Sequence, residues 1–282
     1  MKTKTEQFPA LKKSFLQLLG PSIIFVALSL NGGELMIWPS LTANYTMKIL
    51  WAVPIILILQ FFVNIEIERY TLVTGKSVES NLVGKAKWLA VLFALTVLLT
   101  LVWPAWMTTA GNLMVVSFGP DNLSESATRS AGLIVTIALM LLTLIVFRFK
   151  QIYKVLEKMA QFGLIIAISI IVLVVALNFN LELFIEGLKG FFAWGFIPSD
   201  LPRFDFLGAL AFGGVAGVLN LVQSEWIMEK GYGVAGLPKS KQKNVEIESP
   251  KSKANFSKWF KAMNQEHFLL FVGANIFSIF LL

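Results

Sequence analysis

Long apolar stretches alternate along this chain with short charged ones. Residues 14–33, 49–65, 88–120, 130–147, 159–181, 206–224 and 267–282 contain no Asp, Glu, Lys or Arg. Each stretch is about 16 residues or longer, near the ~20 that a helix needs to cross a bilayer. The pattern predicts an all-α membrane protein with about seven transmembrane helices. The stretch 88–120 would run about 50 Å as one helix, more than a hydrocarbon core of ~30 Å. It is expected to tilt, to kink at Trp103-Pro104, or to extend into a loop near Gly119-Pro120.

The polar stretches give the remaining organisation. Residues 1–13 read as a mobile cytoplasmic tail. Residues 14–177 read as a first group of five helices, and residues 206–282 as the start of a second. Residues 178–205 hold Phe179, Phe184, Phe191, Phe192, Trp194 and Phe196, broken by Gly190, Gly195 and Pro198. Such a segment suits an external helix or hairpin with its rings at headgroup depth. Residues 229–265, rich in lysine, read as a flexible basic cytoplasmic loop.

Composition agrees with the apolar pattern. Hydrophobic residues make up 56% of the chain and charged residues 15%. A soluble domain of this length does not carry so much apolar sequence. The first apolar stretch is too long for a cleaved leader and has no small-residue cleavage site. With no cysteine present, disulfides and thiolate metal sites are excluded.

A net charge of +7 would suggest nucleic acid if it were gathered on one face. Instead it alternates. Of the 24 Lys and Arg, all but Lys48, Arg129, Lys189 and Arg203 fall on the side that also holds the N-terminus. This is the bias of a polytopic membrane protein with a cytoplasmic N-terminus. The expected partner is the lipid bilayer, with no nucleic acid.

Candidate chemistry lies inside two of the apolar stretches. The first ends in Asn31-Gly32-Gly33-Glu34 and continues with Leu35-Met36-Ile37-Trp38. A carboxylate at membrane depth costs roughly 2.5–3.5 kcal/mol on insertion scales and marks ion pathways. The sixth stretch carries Phe212-Gly213-Gly214-Val215-Ala216-Gly217. These are the two stretches with Gly-Gly pairs, and they lie five helices apart. Paired interrupted helices in two inverted halves point to an ion or substrate site, because unwinding exposes carbonyls and N–H groups. The alternative reading is that the glycines only let helices pack closely.

Other polar residues are weaker candidates. Glu225, beyond the second glycine cluster, reads as a gate or proton-path acid, or as an end residue paired with Lys230. Glu66, Glu68 and Arg69 read as ordinary interfacial ion pairs. Asn220 and Gln223 read as cross-helix hydrogen bonders or cation ligands. His267, the one histidine, starts the last apolar stretch, so no histidine cluster is expected. One histidine, no cysteine and scattered acids do not make a catalytic constellation, so no enzyme is expected.

Gly20-Pro21, Asn31 to Glu34, and Arg69 with Val73-Thr74-Gly75-Lys76 together resemble the start of the Nramp family of divalent metal transporters. The resemblance implies a LeuT-type fold of two inverted five-helix repeats with helices 1 and 6 broken. It implies alternating access, proton coupling and a bacterial or archaeal cytoplasmic membrane. It places Asn31, Gly32, Gly33 and Glu34 on the family's Asp-Pro-Gly-Asn motif, with acid and amide in swapped order. It sets Val215-Ala216-Gly217 where the family carries Met-Pro-His. Asn31 and Glu34 would then be the metal ligands, with Gly213, Gly214 and Gly217 forming the second break.

An oxygen-only ligand set without sulfur or imidazole suits a hard ion such as magnesium or calcium and removes the reason to expect selectivity for manganese or iron; magnesium, manganese and calcium are not distinguished. A full LeuT-type core has ten helices, so helices 8–10 would have to come from elsewhere, and an inactive truncated remnant is a further reading. A LeuT-type transporter of a small organic solute, such as an amino acid, is the alternative function.

Overall fold

A computed structural model of the chain describes residues 5–30, 33–101, 105–120, 122–148, 151–215 and 217–281; at 33, 34, 100, 101 and 105 this is the backbone alone. The protein is helical, with one two-residue strand pair among the described residues. In chain order the helices are α1 (Phe15–Leu18), α2 (Gly20–Ser29), α3 (Trp38–Asn44), α4 (Ala52–Thr74), α5 (Val78–Lys85), α6 (Lys87–Leu101), α7 (Ala105–Phe118) and α8 (Glu125–Val146). There follow α9 (Ile152–Asn178), α10 (Leu181–Gly190), α11 (Arg203–Phe212), α12 (Leu219–Glu229), α13 (Lys239–Gln242), α14 (Pro250–His267) and α15 (Ala274–Leu281).

Three helical runs among the described residues are long and apolar enough to cross a membrane: Met47–Thr74, Glu125–Val146 and Ile152–Asn178. In the last two, only 11% and 6% of the most apolar window is buried within the protein. So much exposed leucine and isoleucine suits lipid and not water. The other apolar stretches are not single α-helices. The first and sixth are interrupted, and the last continues α14 through a π-helical turn, Phe268–Gly273, into α15. In the third, α6 and α7 flank residues 102–104, so the kink expected at Trp103-Pro104 lies outside the described residues.

The chain forms two compact units, Met1–Lys85 with Glu157–Leu282, and Ala86–Leu156. The second unit is built on a close pair, α7 and α8. Gly111 faces Thr136, Gly132 faces Asn112, and neither glycine has room for a methyl group. Small residues at such a seam let membrane helices approach, and the Thr136 hydroxyl donates to Gly132 O at 2.7 Å.

The first unit has two apolar cores. One gathers Phe25, Trp38, Leu57, Ala209, Val215 and Phe271 from α2, α3, α4, α11 and the turns beside them. The other gathers Phe8, Leu18, Leu72, Ile227, Tyr232 and Trp259. This second core corrects two expectations, because the tail and the basic loop fold together. β1 (Glu6–Gln7) pairs in parallel with β2 (Val245–Glu246). Phe8 is buried; its N–H donates to Ser252 Oγ, and its carbonyl accepts from Asn255. Trp259 Nε1 donates to Pro9 O at 3.1 Å.

The physical reason lies in the spacing on α14. Ser252, Trp259, Met263, Glu266 and His267 are buried, while Lys251, Lys253, Lys258 and Lys261 are exposed. That three-and-four spacing is an amphipathic helix, whose lysines mask it as loop when only charge is counted. Part of the aromatic segment forms the short helix α10. In α10, Gly187 and Gly190 are buried while Leu181, Leu183 and Leu188 are exposed.

Candidate functional site

The glycines of the sixth stretch do break the helix. After Phe212 the backbone turns extended at Gly213, with φ −71° and ψ 106°. Gly214 and Gly217 take φ +86° and +61°, a region that costs a side-chain-bearing residue but not glycine. A Cβ on Gly214 would also lie 2.8 Å from Gln60 Oε1 and 2.9 Å from Phe271. Two amides hold the freed backbone groups. Gln60 Nε2 donates to Gly213 O and Gln60 Oε1 accepts from Val215 N at 3.0 Å. Asn220 Nδ2 donates to Val215 O at 2.9 Å and to Gly217 O at 3.3 Å. Asn220 is therefore a cap of the break. Ala216 lies outside the described residues.

The first stretch is interrupted as well. α2 stops at Ser29, and Leu30 leaves the helix with φ −69° and ψ 64°. Asn31 and Gly32 lie outside the described residues. Gly33 and Glu34 begin a π-helical turn, Gly33–Ile37, that leads into α3. The end of α2 is tied down by Ser29, whose hydroxyl is 2.7 Å from Asn275 Oδ1 on α15 and 2.8 Å from Val26 O.

A polar cluster that sequence reasoning did not assemble lies where α2, α4, α12 and α14 meet. Asn64 and Glu68 stand one turn apart on α4. Gln223 comes from α12, Ser22 from α2, and Glu266 and His267 from the end of α14. All six side chains are buried, none more than 2% exposed. Gln223 Nε2 donates to Glu68 Oε1 at 2.7 Å, and the same oxygen is 3.6 Å from His267 Nδ1. The Ser22 hydroxyl donates to Glu266 Oε2 at 2.7 Å and lies 3.2 Å from His267 Nδ1. On the far side of the ring, Nε2 is 3.1 Å from Asn64 Nδ2. Phe271 stacks on the imidazole at 5.0 Å and Phe61 at 5.9 Å.

With the Asn64 amide nitrogen facing the ring and the Ser22 hydroxyl turned to Glu266, donor counting gives the state of the ring. Ser22 has one hydrogen and gives it to Glu266, so its oxygen accepts from the ring and Nδ1 carries a hydrogen. An amide nitrogen only donates, so Nε2 offers its lone pair to Asn64. The imidazole is then neutral. Two carboxyl groups remain, with no Lys or Arg bonded to either among the described residues. Glu68 Oε2, Glu266 Oε1, Asn64 Oδ1 and Gln223 Oε1 are buried and have no hydrogen-bond partner among the described residues. A buried carboxylate without a counter-charge costs several kcal/mol. A proton or a cation must therefore complete this cluster. Among the described residues no three His, Cys, Asp or Glu side chains converge as a metal-ligand group.

Glu68 is thus no interfacial ion-pair residue. Its expected companions do pair, with Arg69 Nε donating to Glu66 at 2.7 Å on the exposed face. Residues Asn64, Ile67, Glu68, Thr71 and Leu72 form the buried stripe of α4. That register was the available signal, because Glu68 is on the stripe while Glu66 and Arg69 are off it. Glu225 lies on the exposed face of α12, and Lys230, its expected partner, pairs with Glu157 at 2.6 Å.

Below the cluster, Lys13 Nζ donates to Lys230 O at 2.8 Å and sits 4.4 Å over the Tyr232 ring. The Tyr232 hydroxyl donates to Gln17 O and Leu18 O. Burial pushes its phenol up, and the carboxyls of Glu266, Glu157 and Glu68 push it further. No family model, curated protein or solved structure matches this chain.

Proposed function

We propose that this chain is a membrane transporter of a cation, working by alternating access in an Nramp-like manner. In this reading the seven apolar stretches are transmembrane helices in a LeuT-type arrangement, with the N-terminus in the cytoplasm. Helices 1 and 6 are the interrupted ones. Asn31 and Glu34 supply the ion ligands, and the backbone of Gly213, Gly214, Val215, Ala216 and Gly217 forms the facing break. The cargo is a divalent metal ion, with magnesium, calcium and manganese as the ions to compare. The observation that carries the reading is the break between Phe212 and Leu219, together with the end of α2 at Ser29. Both lie in stretches otherwise apolar enough to continue as helix, and both belong to one compact unit. Interrupted helices at membrane depth are how transporters expose backbone groups to an ion.

The test is uptake of each ion by proteoliposomes containing the chain, beside Glu34→Gln. Ion accumulation that is lost in Glu34→Gln supports the reading. Accumulation that Glu34→Gln leaves unchanged removes Glu34 as a ligand. No accumulation of any of the three ions contradicts metal transport by this chain.

A further inference from the structure

We propose that the cluster of Ser22, Glu68, Glu266 and His267 is a proton-binding site, in which one carboxyl of the two glutamates carries an exchangeable proton. The proposal rests on the membrane reading of the helices and does not require that the cargo be a metal. Its first support is that nothing bonded to the two carboxyls offsets a second negative charge. The ring is neutral by its hydrogen-bond partners, and no basic side chain is bonded to either glutamate among the described residues. Its second support is donor supply. Glu68 Oε1 accepts from Gln223 and Glu266 Oε2 accepts from Ser22, while the second oxygen of each carboxyl has no partner among the described residues. Those oxygens are where an O–H bond forms, when a hydronium ion gives up its proton and is left as water, and where it breaks when the proton passes back to water and re-forms hydronium. Lone pairs on Asn64 Oδ1 and Gln223 Oε1, also without partners among the described residues, are the neutral acceptors on hand.

The elements around the site supply few other ionisable groups. α4 brings Glu68, α14 brings Glu266 and His267, and the segment after α12 brings Tyr232, whose hydroxyl is engaged by backbone carbonyls. α2 and α12 contribute the neutral Ser22 and Gln223. The placement gives the proton a mechanical consequence. α2 precedes the first interruption and α12 follows the second, and both are hydrogen-bonded into the cluster. Losing the proton leaves two like charges between α4 and α14, in a medium where repulsion is poorly screened. Proton exchange is therefore tied to how the two half-helices pack.

The test is infrared difference spectroscopy of the chain in lipid nanodiscs at pH 7, alone and as Glu68→Gln and Glu266→Gln. The expected result is a protonated-carboxyl C=O band, shifted in D2O, that one of the two variants removes. A spectrum in which neither variant removes a band overturns the proposal. So does a band that arises only after N-methylglucamine replaces sodium, because a bound metal cation would then fill the site. Should the variants fail to fold, the unmodified protein gives a second reading, since its single histidine yields one pair of imidazole ¹⁵N signals. A neutral ring with Nδ1 protonated agrees with the proposal. A doubly protonated ring at pH 7 contradicts it, because the ring would then balance the charge. Neither readout depends on transport, so metal uptake can fail while this site stands.

Discussion

The helix break and the buried polar cluster, both among the described residues of the larger unit, differ in how fully they are satisfied. At the break between α11 and α12, the carbonyls of Gly213, Val215 and Gly217 and the N–H of Val215 all meet a side-chain amide. At the meeting of α2, α4, α12 and α14, four buried oxygens have no partner among the described residues. Folding tends to satisfy buried polar groups, and the exceptions call for an explanation. At the break one buried oxygen, Asn220 Oδ1, is without a partner among the described residues, against four at the cluster. The break is the more nearly finished as architecture, and the cluster has the more room for a bound proton or ion. A satisfied site resists change through stability, and an unsatisfied one reveals itself through function.

That contrast can be broken from either side. The largest loss of stability is expected from Gln60→Leu, which strands Gly213 O and Val215 N. At about 1–3 kcal/mol for each of the two unsatisfied buried groups, the sum is about 2–6 kcal/mol. Denaturant unfolding in detergent reads it, and an unchanged midpoint would mean that the two groups find other partners. Gly214→Ala comes next, at about 2 kcal/mol, from a left-handed backbone and contact with Gln60 and Phe271. Asn220→Ala is expected to cost about 1 kcal/mol, the usual net worth of a hydrogen bond. The smallest change in stability belongs to the cluster. Glu68→Gln keeps the shape and the acceptor for Gln223 while removing a buried acid, so stability should hold within about 1 kcal/mol. A loss as large as that of Gln60→Leu would show Glu68 to be structural after all.

The two places also differed in how readable they were. The break was half legible: Gly213-Gly214 marked a place for either close packing or unwinding, and the positive φ of Gly214 and Gly217 decides for unwinding. The amides that complete it were not, since Gln60 lies in a separate helix with nothing local to single it out. The cluster was hidden for two reasons. Glu68 sits among Glu66 and Arg69 at the end of an apolar run, where charge is ordinary, and only helical register separates its face from theirs. Glu266 and His267 follow a lysine-rich stretch that charge counting assigns to loop, although its buried positions recur every three or four residues. Residues 1–13 were misjudged for the same reason. Their anchor is a non-local contact of Phe8 with α14. Of the seven apolar stretches, those that continue as helix were recovered as long helical runs. The two stretches that carry the proposed function, the first and the sixth, are among those that do not continue as one α-helix, as an ion site built from broken helices requires.

Glu66 and Glu68 offer the most direct test of the whole account, being two residues apart on α4 with one exposed and one buried. Ion uptake should be measured in proteoliposomes with an imposed pH gradient, comparing the unmodified chain with Glu66→Gln and Glu68→Gln at equal reconstitution. The account predicts that Glu66→Gln transports as the parent does, while Glu68→Gln falls by about tenfold or more, the size of a typical coupling energy between sites. Equal uptake by both variants would contradict a working role for the buried cluster.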